Sequence, residues 1–561
     1  MSQLSTVRGS CELPLLDMTI GQYFEQVCRS HPHRPALVSC HQDVRWTYAE
    51  LGQRVDAFAA GLLALGLNKG ERVGIWAPNC WEWLVTQYAT AKAGLILVTI
   101  NPAYRMSELE YALNKVGCKA LVVVPQHKSS DYLDILCRLA PELASATPGR
   151  LSTSRLPALR ALITLGEKHY PGCLRFEDVP GLATPEHYQL LEAISSTLAC
   201  DEPVNIQFTS GTTGAPKGAT LSHRNILNNG RFVGDAIGLR PDDRLCTPVP
   251  LYHCFGMVMA NLGCLTHAAC VVYPSAAFDA LALLRAVETE KCSALFGVPT
   301  MFISVLEHPE FARFDLHTLR TGIMAGSPCP VELMRQVIER MHMHEVTIAY
   351  GMTETSPVSF QSNTGDSIER RVTTVGQVQP HLEVKIVDDS GDIVTRGTPG
   401  QLCTKGYAVM LGYWEDADTT KQVLRDGWMH TGDLATLDEQ GYCNIVGRIK
   451  DMVIRGGENI YPREIEEFLY RHPAIQDVQI VGVPDLRFGE ELCACIITRP
   501  GCSISAEDVR SFCAGQIAHF KIPRYVRVVD AFPTTVSGKV QKFMLRQTAA
   551  AELGLVDETT A

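Results

Sequence analysis

The densest concentration of groups able to do chemistry is Thr209-Ser210-Gly211-Thr212-Thr213-Gly214-Ala215-Pro216-Lys217-Gly218. Glycines let the backbone approach an anion with no Cβ in the way. The hydroxyls and turn N–H groups donate hydrogen bonds, and Lys217 adds a compact positive charge. This is the composition of a polyphosphate cradle. A Walker loop requires Gly-Lys-Ser/Thr in succession, whereas Lys217 here follows Pro216 and precedes Gly218, so a phosphate loop of another kind is expected. Composition alone leaves a flexible surface loop equally open. Val204–Phe208 before the loop reads as a strand. After it, Ser222 can cap a helix running through Leu227, so the loop is expected between strand and helix.

The elements that must position this loop belong to a large chain. With 561 residues, two to four domains are expected. Hydrophobic residues make up 46% and charged residues 20%, as in soluble globular proteins. A net charge of −11 argues against nucleic acid as a partner. The twenty cysteines are scattered without a CxxC or Cys/His cluster, which points away from zinc and toward a reducing compartment. Cys493 and Cys495 read as small core residues on one strand face. Neither a signal peptide nor a bilayer-spanning run is evident, and the C-terminus is not a peroxisomal address. The expected location is cytoplasmic, or the mitochondrial matrix for a processed eukaryotic protein, with a homodimer the assembly considered.

Helical and strand patterns alternate from the start. Thr47-x-x-Glu50 is a capping box. Leu51, Val55, Phe58, Leu62 and Leu65 then follow at helical spacing. Arg72–Ala77 reads as a strand, Trp81–Lys92 as a helix, and Leu95–Ile100 as a strand. Ser107-x-x-Glu110 reads as a second capping box, and Cys118–Val124 as a strand. Thr147–Leu156 is a surface excursion. Pro248–Tyr252 reads as a strand leading into His253-Cys254-Phe255-Gly256 and an apolar helix to about Leu265. The expected fold class is α/β, with largely parallel sheets covered by helices. From about Gly376 short strands and Gly/Asp turns indicate a β-rich subdomain. The charged break Arg448-Ile449-Lys450-Asp451 marks a domain boundary. The expected division is 1–447, a hinge at 448–451, and a small α+β domain over 452–561. That last part carries a helix from Pro462, strands at Val478–Val483 and Cys493–Thr498, and a helix from Ser505 with Val509, Phe512, Ile517 and Phe520 on one face.

Seven motifs in order extend the reading: the glycine-rich loop, Pro250-Leu251-Tyr252-His253, Ala325-Gly326-Ser327-Pro328, Tyr350-Gly351-Met352-Thr353-Glu354, Thr431-Gly432-Asp433, Gly447-Arg448-x-Lys450-Asp451, and Pro533-Thr534-Thr535-Val536-Ser537-Gly538-Lys539. Together they resemble the adenylate-forming (AMP-binding) superfamily over nearly the whole chain. Asn205–Asn229, Asn101-Pro102-Ala103-Tyr104, Lys115–Val122, Ile454–Pro462 and His519-Phe520-Lys521-Ile522-Pro523 resemble the medium-chain fatty acyl-CoA synthetases in particular.

The resemblance implies two half-reactions. A carboxylate attacks the α-phosphate of ATP to give acyl-adenylate and pyrophosphate, and coenzyme A then displaces AMP. A carboxylic acid with a pKa of about 4–5 is already ionised at neutral pH, so the first half requires charge neutralisation and no general base. By resemblance, Thr209 through Lys217, including Thr212, hold the β- and γ-phosphates, and Glu354 contacts Mg²⁺. Tyr350 stacks on adenine, with Gly326-Ser327-Pro328 as the other wall and Gly351 and Thr353 beside it. Asp433 accepts the ribose hydroxyls and Arg448 donates to the same sugar. Lys539 is the mobile lysine of adenylation and Lys450 the hinge. Gly456 and Gly457 shape the pantetheine tunnel in the second pose. Taken singly, Glu354 and Asp433 also read as turn acids, Tyr350 and His253 as core residues, and Lys539 as a surface lysine.

His253 and Phe255 begin the segment that lines the acyl pocket in similar proteins. Phe255–Leu265 is apolar and offers no early Asp for a substrate amine. An aliphatic acid of medium length is therefore expected, with small branched or alicyclic acids also compatible. Two other readings stand beside this one: a ligase loading a carrier protein, and a non-catalytic nucleotide-binding regulator on the same fold.

Overall fold

The computed structural model describes residues 3–209, 216–327, 329–456, 458–534 and 540–555. It divides into two compact units. The larger comprises Arg8–Glu383 and Thr404–Met429; the smaller comprises Met1–Val7, Val384–Cys403 and His430–Ala561.

Two sheets organise the larger unit. In one, the parallel strands Leu174–Arg175, Ala161–Thr164, Ala120–Val123, Arg72–Trp76, Ile96–Thr99 and Pro203–Thr209 lie side by side, and the antiparallel Lys217–Ser222 and Gly412–Tyr413 complete the order. In the other, six parallel strands run from Glu345–Gly351 through Thr321–Ala325, Ala294–Gly297, Arg244–Cys246 and Cys270–Tyr273 to Pro35–Ser39, with antiparallel strands at both edges. Short, wholly buried apolar runs such as Ala120–Val123 and Cys270–Tyr273 are what strands covered on both faces require. The helix Trp81–Lys92 is buried from Glu82 through Lys92. It sits in the main core with Tyr48, Phe58, Leu84 and Tyr88.

The Thr47–Glu50 capping box is present, and its helix runs Tyr48–Ala64. The second box differs from expectation. The helix begins at Met106 with Arg105 as its cap, and Glu108 accepts from the Arg105 N–H at 2.8 Å, so Ser107 lies inside the helix. Pro248–Tyr252 is not a strand; the strand is Arg244–Cys246. The side chain of Asn79 supplies the bonds a sheet neighbour would have made, donating to the Val249 carbonyl and accepting from the Leu251 N–H, both at 2.9 Å. The glycine-rich loop joins strand to strand, because Lys217–Ser222 pairs antiparallel with Pro203–Thr209 before the helix His223–Ala236 starts. Ser222 does cap that helix.

In the smaller unit Ile475–Asp485 and Gly489–Thr498 form a long antiparallel pair, backed by the helix Pro462–Leu469. Cys493 and Cys495 are buried there, as expected. The helix capped by Ser505 ends at Cys513. Gly515, at φ +71°, turns the chain, so Ile517 and Phe520 lie beyond the helix and only pack beside its core. Residues 449–451 form a single 3₁₀ turn.

His223 is fully buried and accepts the Ile20 N–H through Nδ1 at 3.1 Å. Burial depresses its pKa to about 3, with Glu202 acting weakly in the opposite sense. The unfolded imidazole titrates near its ordinary value of about 6.5. Below that pH the unfolded state takes up a proton that the native state refuses, so stability is fully present above pH 6.5 and falls as pH drops toward 3. Denaturant unfolding at pH 7 and pH 5 should show His223→Gln losing about 2 kcal/mol less than the wild type over that interval.

Candidate active site

The loop residues Ser210, Gly211, Thr212, Thr213, Gly214 and Ala215 lie outside the described residues, as do Pro328, Gly457 and Lys539. The frame on which the loop is mounted is described. Thr209 and Lys217 are directly opposite each other in the antiparallel pair, and Pro216 is half-buried beside them. The loop therefore leaves from and returns to adjacent positions of one sheet.

Glu354 stands at this root. It lies in a 3₁₀ turn, Thr353–Thr355, just after the strand Glu345–Gly351, and is only 6% exposed. Thr209 Oγ1 donates to Glu354 Oε1 at 3.3 Å, and Tyr413 OH donates to the same oxygen at 2.8 Å. A carboxylate oriented through one oxygen can present the other as a hard oxygen ligand to a divalent cation. Burial, and next the charge of Glu354, raise the Tyr413 phenol well above its usual range, so it remains a donor. Lys217 Nζ lies 5.4 Å from the centre of the Tyr413 ring, within reach of a cation–π attraction. Sequence reasoning missed Tyr413. Its sole sequence signal is an aromatic in Gly412-Tyr413-Trp414, nearly 200 residues beyond the loop. The fold brings it in because Gly412–Tyr413 pairs with Ala219–Thr220 and the Trp414 N–H donates to the Gly218 carbonyl at 2.7 Å.

The motifs around Gly326-Ser327 and Tyr350-Gly351 are brought together by the second sheet. Thr321–Ala325 and Glu345–Gly351 are adjacent parallel strands with Ala325 opposite Ala349, so Gly326-Ser327 and Tyr350 emerge side by side at their carboxyl ends. Ligands of open α/β sheets bind at such ends. Gly326 has φ +97° and Ser327 is exposed. The glycine of Tyr350-Gly351 has a steric reason: a Cβ there would sit 1.7 Å from the Pro357 carbonyl oxygen.

His253 and Phe255 follow the Asn79-held turn. His253 Nδ1 accepts the Phe255 N–H at 3.2 Å, and the Phe255 ring lies 5.6 Å from that of Phe296. Residues 255–262 form a π-helix, every residue of it buried. Cys254 donates to Gln207 Oε1 at 2.9 Å, and burial pushes its thiol up to about 12, so it acts as a core donor and not as a nucleophile.

In the smaller unit Asp433 and Arg448 are direct cross-strand partners, joined by an ion pair of 3.1 Å. Asp433 is nearly buried and Arg448 is largely open. The Asp433 N–H donates to Thr431 Oγ1, which donates to the Leu402 carbonyl. Gly456, at φ +59°, turns the hairpin between Val453–Arg455 and Glu458–Ile460 and donates its N–H to the Phe488 carbonyl. Lys450 is exposed in the 3₁₀ turn.

Comparison with known proteins accounts for these features together. The model of the AMP-binding enzyme family matches residues 24–414, and that of the AMP-binding enzyme C-terminal domain matches residues 464–539. The chain belongs to the AMP-binding enzyme family. It is 48% identical over 555 residues to the medium-chain acyl-CoA ligase ACSF2, mitochondrial, of Danio rerio, covering 98% of this chain and 91% of that one. It is 49% identical over 535 residues to the putative acyl-CoA synthetase YngI of Bacillus subtilis, covering 95% and 97%. The crystal structure of the anthranilate CoA ligase AuaEII in complex with anthranoyl-AMP superposes with a TM-score of 0.84 at 26% identity, covering 97% of this chain and 99% of that one. As an AMP-binding enzyme, this chain has the α/β fold with a large and a small part that its motifs led us to expect. Among the described residues, no helix is long and apolar enough to cross a membrane.

Hydrogen bonds to charged groups contribute about 1.5–3 kcal/mol. Tyr413→Phe should therefore lower kcat/KM for ATP by about tenfold to a hundredfold, read by ATP–pyrophosphate exchange, and should also lower the unfolding midpoint, because the buried carboxylate loses its shorter hydrogen bond.

Proposed function

We propose that this chain is an ATP-dependent acyl-CoA synthetase. It converts a medium-chain fatty acid, or an apolar acid of similar size, to its coenzyme A thioester through an acyl-adenylate, releasing AMP and pyrophosphate. The observation that carries this reading is near-full-length identity of almost one half to proteins named medium-chain acyl-CoA ligase, joined to a segment after His253 that is apolar but for Asn261 and offers no carboxylate for a substrate amine.

In the first half-reaction an acid oxygen bonds to the α-phosphorus and the bond to pyrophosphate breaks. Thr209–Lys217 hold the β- and γ-phosphates, with Lys217 neutralising charge. Glu354 holds Mg²⁺, which supplies Lewis-acid stabilisation of the phosphate oxygens. Tyr350, packed against Phe360, offers its face to adenine, with Gly326-Ser327-Pro328 opposite. Asp433, oriented by Arg448, accepts from the ribose hydroxyls. Lys539 contacts the α-phosphate oxygens. In the second half-reaction the coenzyme A sulfur bonds to the acyl carbon, the acyl–phosphate bond breaks and AMP leaves. The domain 452–561 turns about Lys450 between the two halves, and Gly456-Gly457 serves the pantetheine arm. Twenty free thiols support a reducing compartment, the cytoplasm or the mitochondrial matrix, and a homodimer is the proposed assembly.

The test is pyrophosphate release with ATP, Mg²⁺ and a panel of carboxylic acids, with and without coenzyme A. Sustained, coenzyme A-dependent turnover that peaks on mid-length chains is expected. A single burst indifferent to coenzyme A would indicate a carrier-protein ligase, and no release with any acid would indicate a regulator. In the same assay Lys539→Ala should abolish pyrophosphate release yet retain thioester formation from supplied acyl-adenylate. Equal loss in both halves would contradict the two-pose mechanism.

A further inference from the structure

The π-helix Phe255–Leu262 is unusual in its length. At its close the Gly263 N–H is shared between the Ala260 carbonyl, three residues back, and the Val258 carbonyl, five residues back. The π-winding normally survives for a single turn, and often at functional sites. Eight residues of it require external support, and the surroundings supply it at both ends and in the middle.

At the start, Gly256 is pressed onto the preceding turn, where a Cβ would lie 2.6 Å from the Pro250 carbonyl oxygen. At the end, Gly230 admits the backbone of Leu262–Gly263; a Cβ on Gly230 would lie 2.8 Å from the Leu262 Cβ. Between them runs a directed chain of hydrogen bonds. Tyr273 OH donates to Asn261 Oδ1 at 2.8 Å, Asn261 Nδ2 donates to Gln87 Oε1 at 2.8 Å, and Gln87 Nε2 donates to the Met257 carbonyl at 3.2 Å. Tyr88 OH donates to the Asn261 carbonyl at 3.1 Å. Gln87, Asn261 and Tyr273 are 4%, 1% and 0% exposed, so water cannot replace a missing member. Each amide in the relay has one orientation, because exchanging its oxygen and nitrogen would set acceptor against acceptor or donor against donor.

The first turn of the π-helix is anchored separately from the relay. Residue 254 donates to Gln207, and Gln207 Nε2 approaches Met257 Sδ at 3.7 Å. Gln207 lies two residues before Thr209 on the strand that carries the phosphate loop. The first turn of the π-helix is thus tied to the same strand as the Glu354 carboxylate. In an α-register, Met257 would accept the Asn261 N–H, four residues on. In the π-register the same carbonyl would face the Leu262 N–H, so the bond to Gln87 alone does not choose between them; the register is fixed because Gln87 ties the Asn261 side chain to the Met257 carbonyl and so sets the winding between these two residues. A rewound helix rotates the side chains beyond the change by about 100°, redirecting Val258, Met259 and Leu262.

We infer that the buried relay Tyr273–Asn261–Gln87 is a specificity-positioning device that fixes the π-register of residues 255–262 and so fixes the apolar wall that meets the acyl chain. The inference rests on the acyl-pocket reading proposed above. Without the relay the wall occupies more than one register, and discrimination among chain lengths falls while the nucleotide side is unaffected.

The test measures kcat/KM for straight-chain acids of about four to sixteen carbons, with ATP and coenzyme A, for the wild type, Asn261→Leu and Tyr273→Phe. One methylene in an apolar pocket is worth roughly tenfold to a few hundredfold, so the ratio of best to poorest acid should fall about tenfold in Asn261→Leu. It should fall less, in the same sense, in Tyr273→Phe. KM for ATP should stay within about threefold, since uniform nucleotide binding is untouched. A loss shared equally by all acids, with the profile keeping its shape, would overturn the inference by reducing the relay to a fold element. If Asn261→Leu fails to fold, as judged by its unfolding transition, the Tyr273→Phe profile decides alone. A wild type that turns over no acid with coenzyme A would instead overturn the proposed function, and the inference with it.

Discussion

One buried carboxylate has to be held at the meeting point of three distant chain segments, and much of the larger unit serves that requirement. Glu354 is contributed by a 3₁₀ turn, Thr209 by the end of a sheet strand, and Tyr413 by a short strand paired to the far side of the loop's return strand. A charge at 6% exposure is costly unless hydrogen-bonded. The two hydroxyls meet that cost without neutralising the charge, which a lysine or arginine in their place would do. The carboxylate is therefore held in one orientation by two donors. The same two donors connect the sheet carrying the phosphate loop to the sheet carrying the adenine-side motifs, so local chemistry and global packing share one contact.

Close backbone approach sets the precision of this arrangement. Gly351 lies against the Pro357 carbonyl with no room for a Cβ, which draws the chain tightly from Tyr350 round to Glu354. Asn79 grips both backbone groups of the turn before His253, and Gly256 lets the π-helix begin directly against that turn. Parallel strands deliver Gly326-Ser327 and Tyr350 to the same edge in adjacent register. Rigid strands with short, glycine-relieved exits hold such groups more exactly than long loops do.

What could be read from the residues was what local physics dictates. The capping box at Thr47–Glu50 needs only its own neighbours and the helix Trp81–Lys92 has an unbroken run of helix-compatible residues, and both occur as expected. The motif order was enough to establish the family. Expectations departed from the structure where a distant partner overrode a local preference. At Ser107, by contrast, the departure is local: its capping pattern lost to a competing box two residues earlier, where Glu108 accepts the Arg105 N–H. Pro248–Tyr252 had strand composition, but a side chain from residue 79 takes its backbone groups. Lys217–Ser222 looked like a lead-in to a helix, yet strands on both sides pair with it. Tyr413 and the π-winding of Phe255–Leu262 had no local signature: each depends on contacts between residues far apart in sequence.

The proposed function rests most heavily on the proposal that Glu354, oriented by Thr209 and Tyr413, holds the magnesium of the nucleotide complex. The most direct measurement is ATP–pyrophosphate exchange as a function of Mg²⁺ concentration, at saturating ATP and a fixed medium-chain acid, for the wild type and Glu354→Gln. Glutamine keeps the size and the hydrogen-bond acceptor but loses the charge. The account predicts that the variant requires much more Mg²⁺ for half-maximal exchange and recovers part of its rate at high Mg²⁺. An unchanged Mg²⁺ dependence, with only the maximal rate altered, would contradict it.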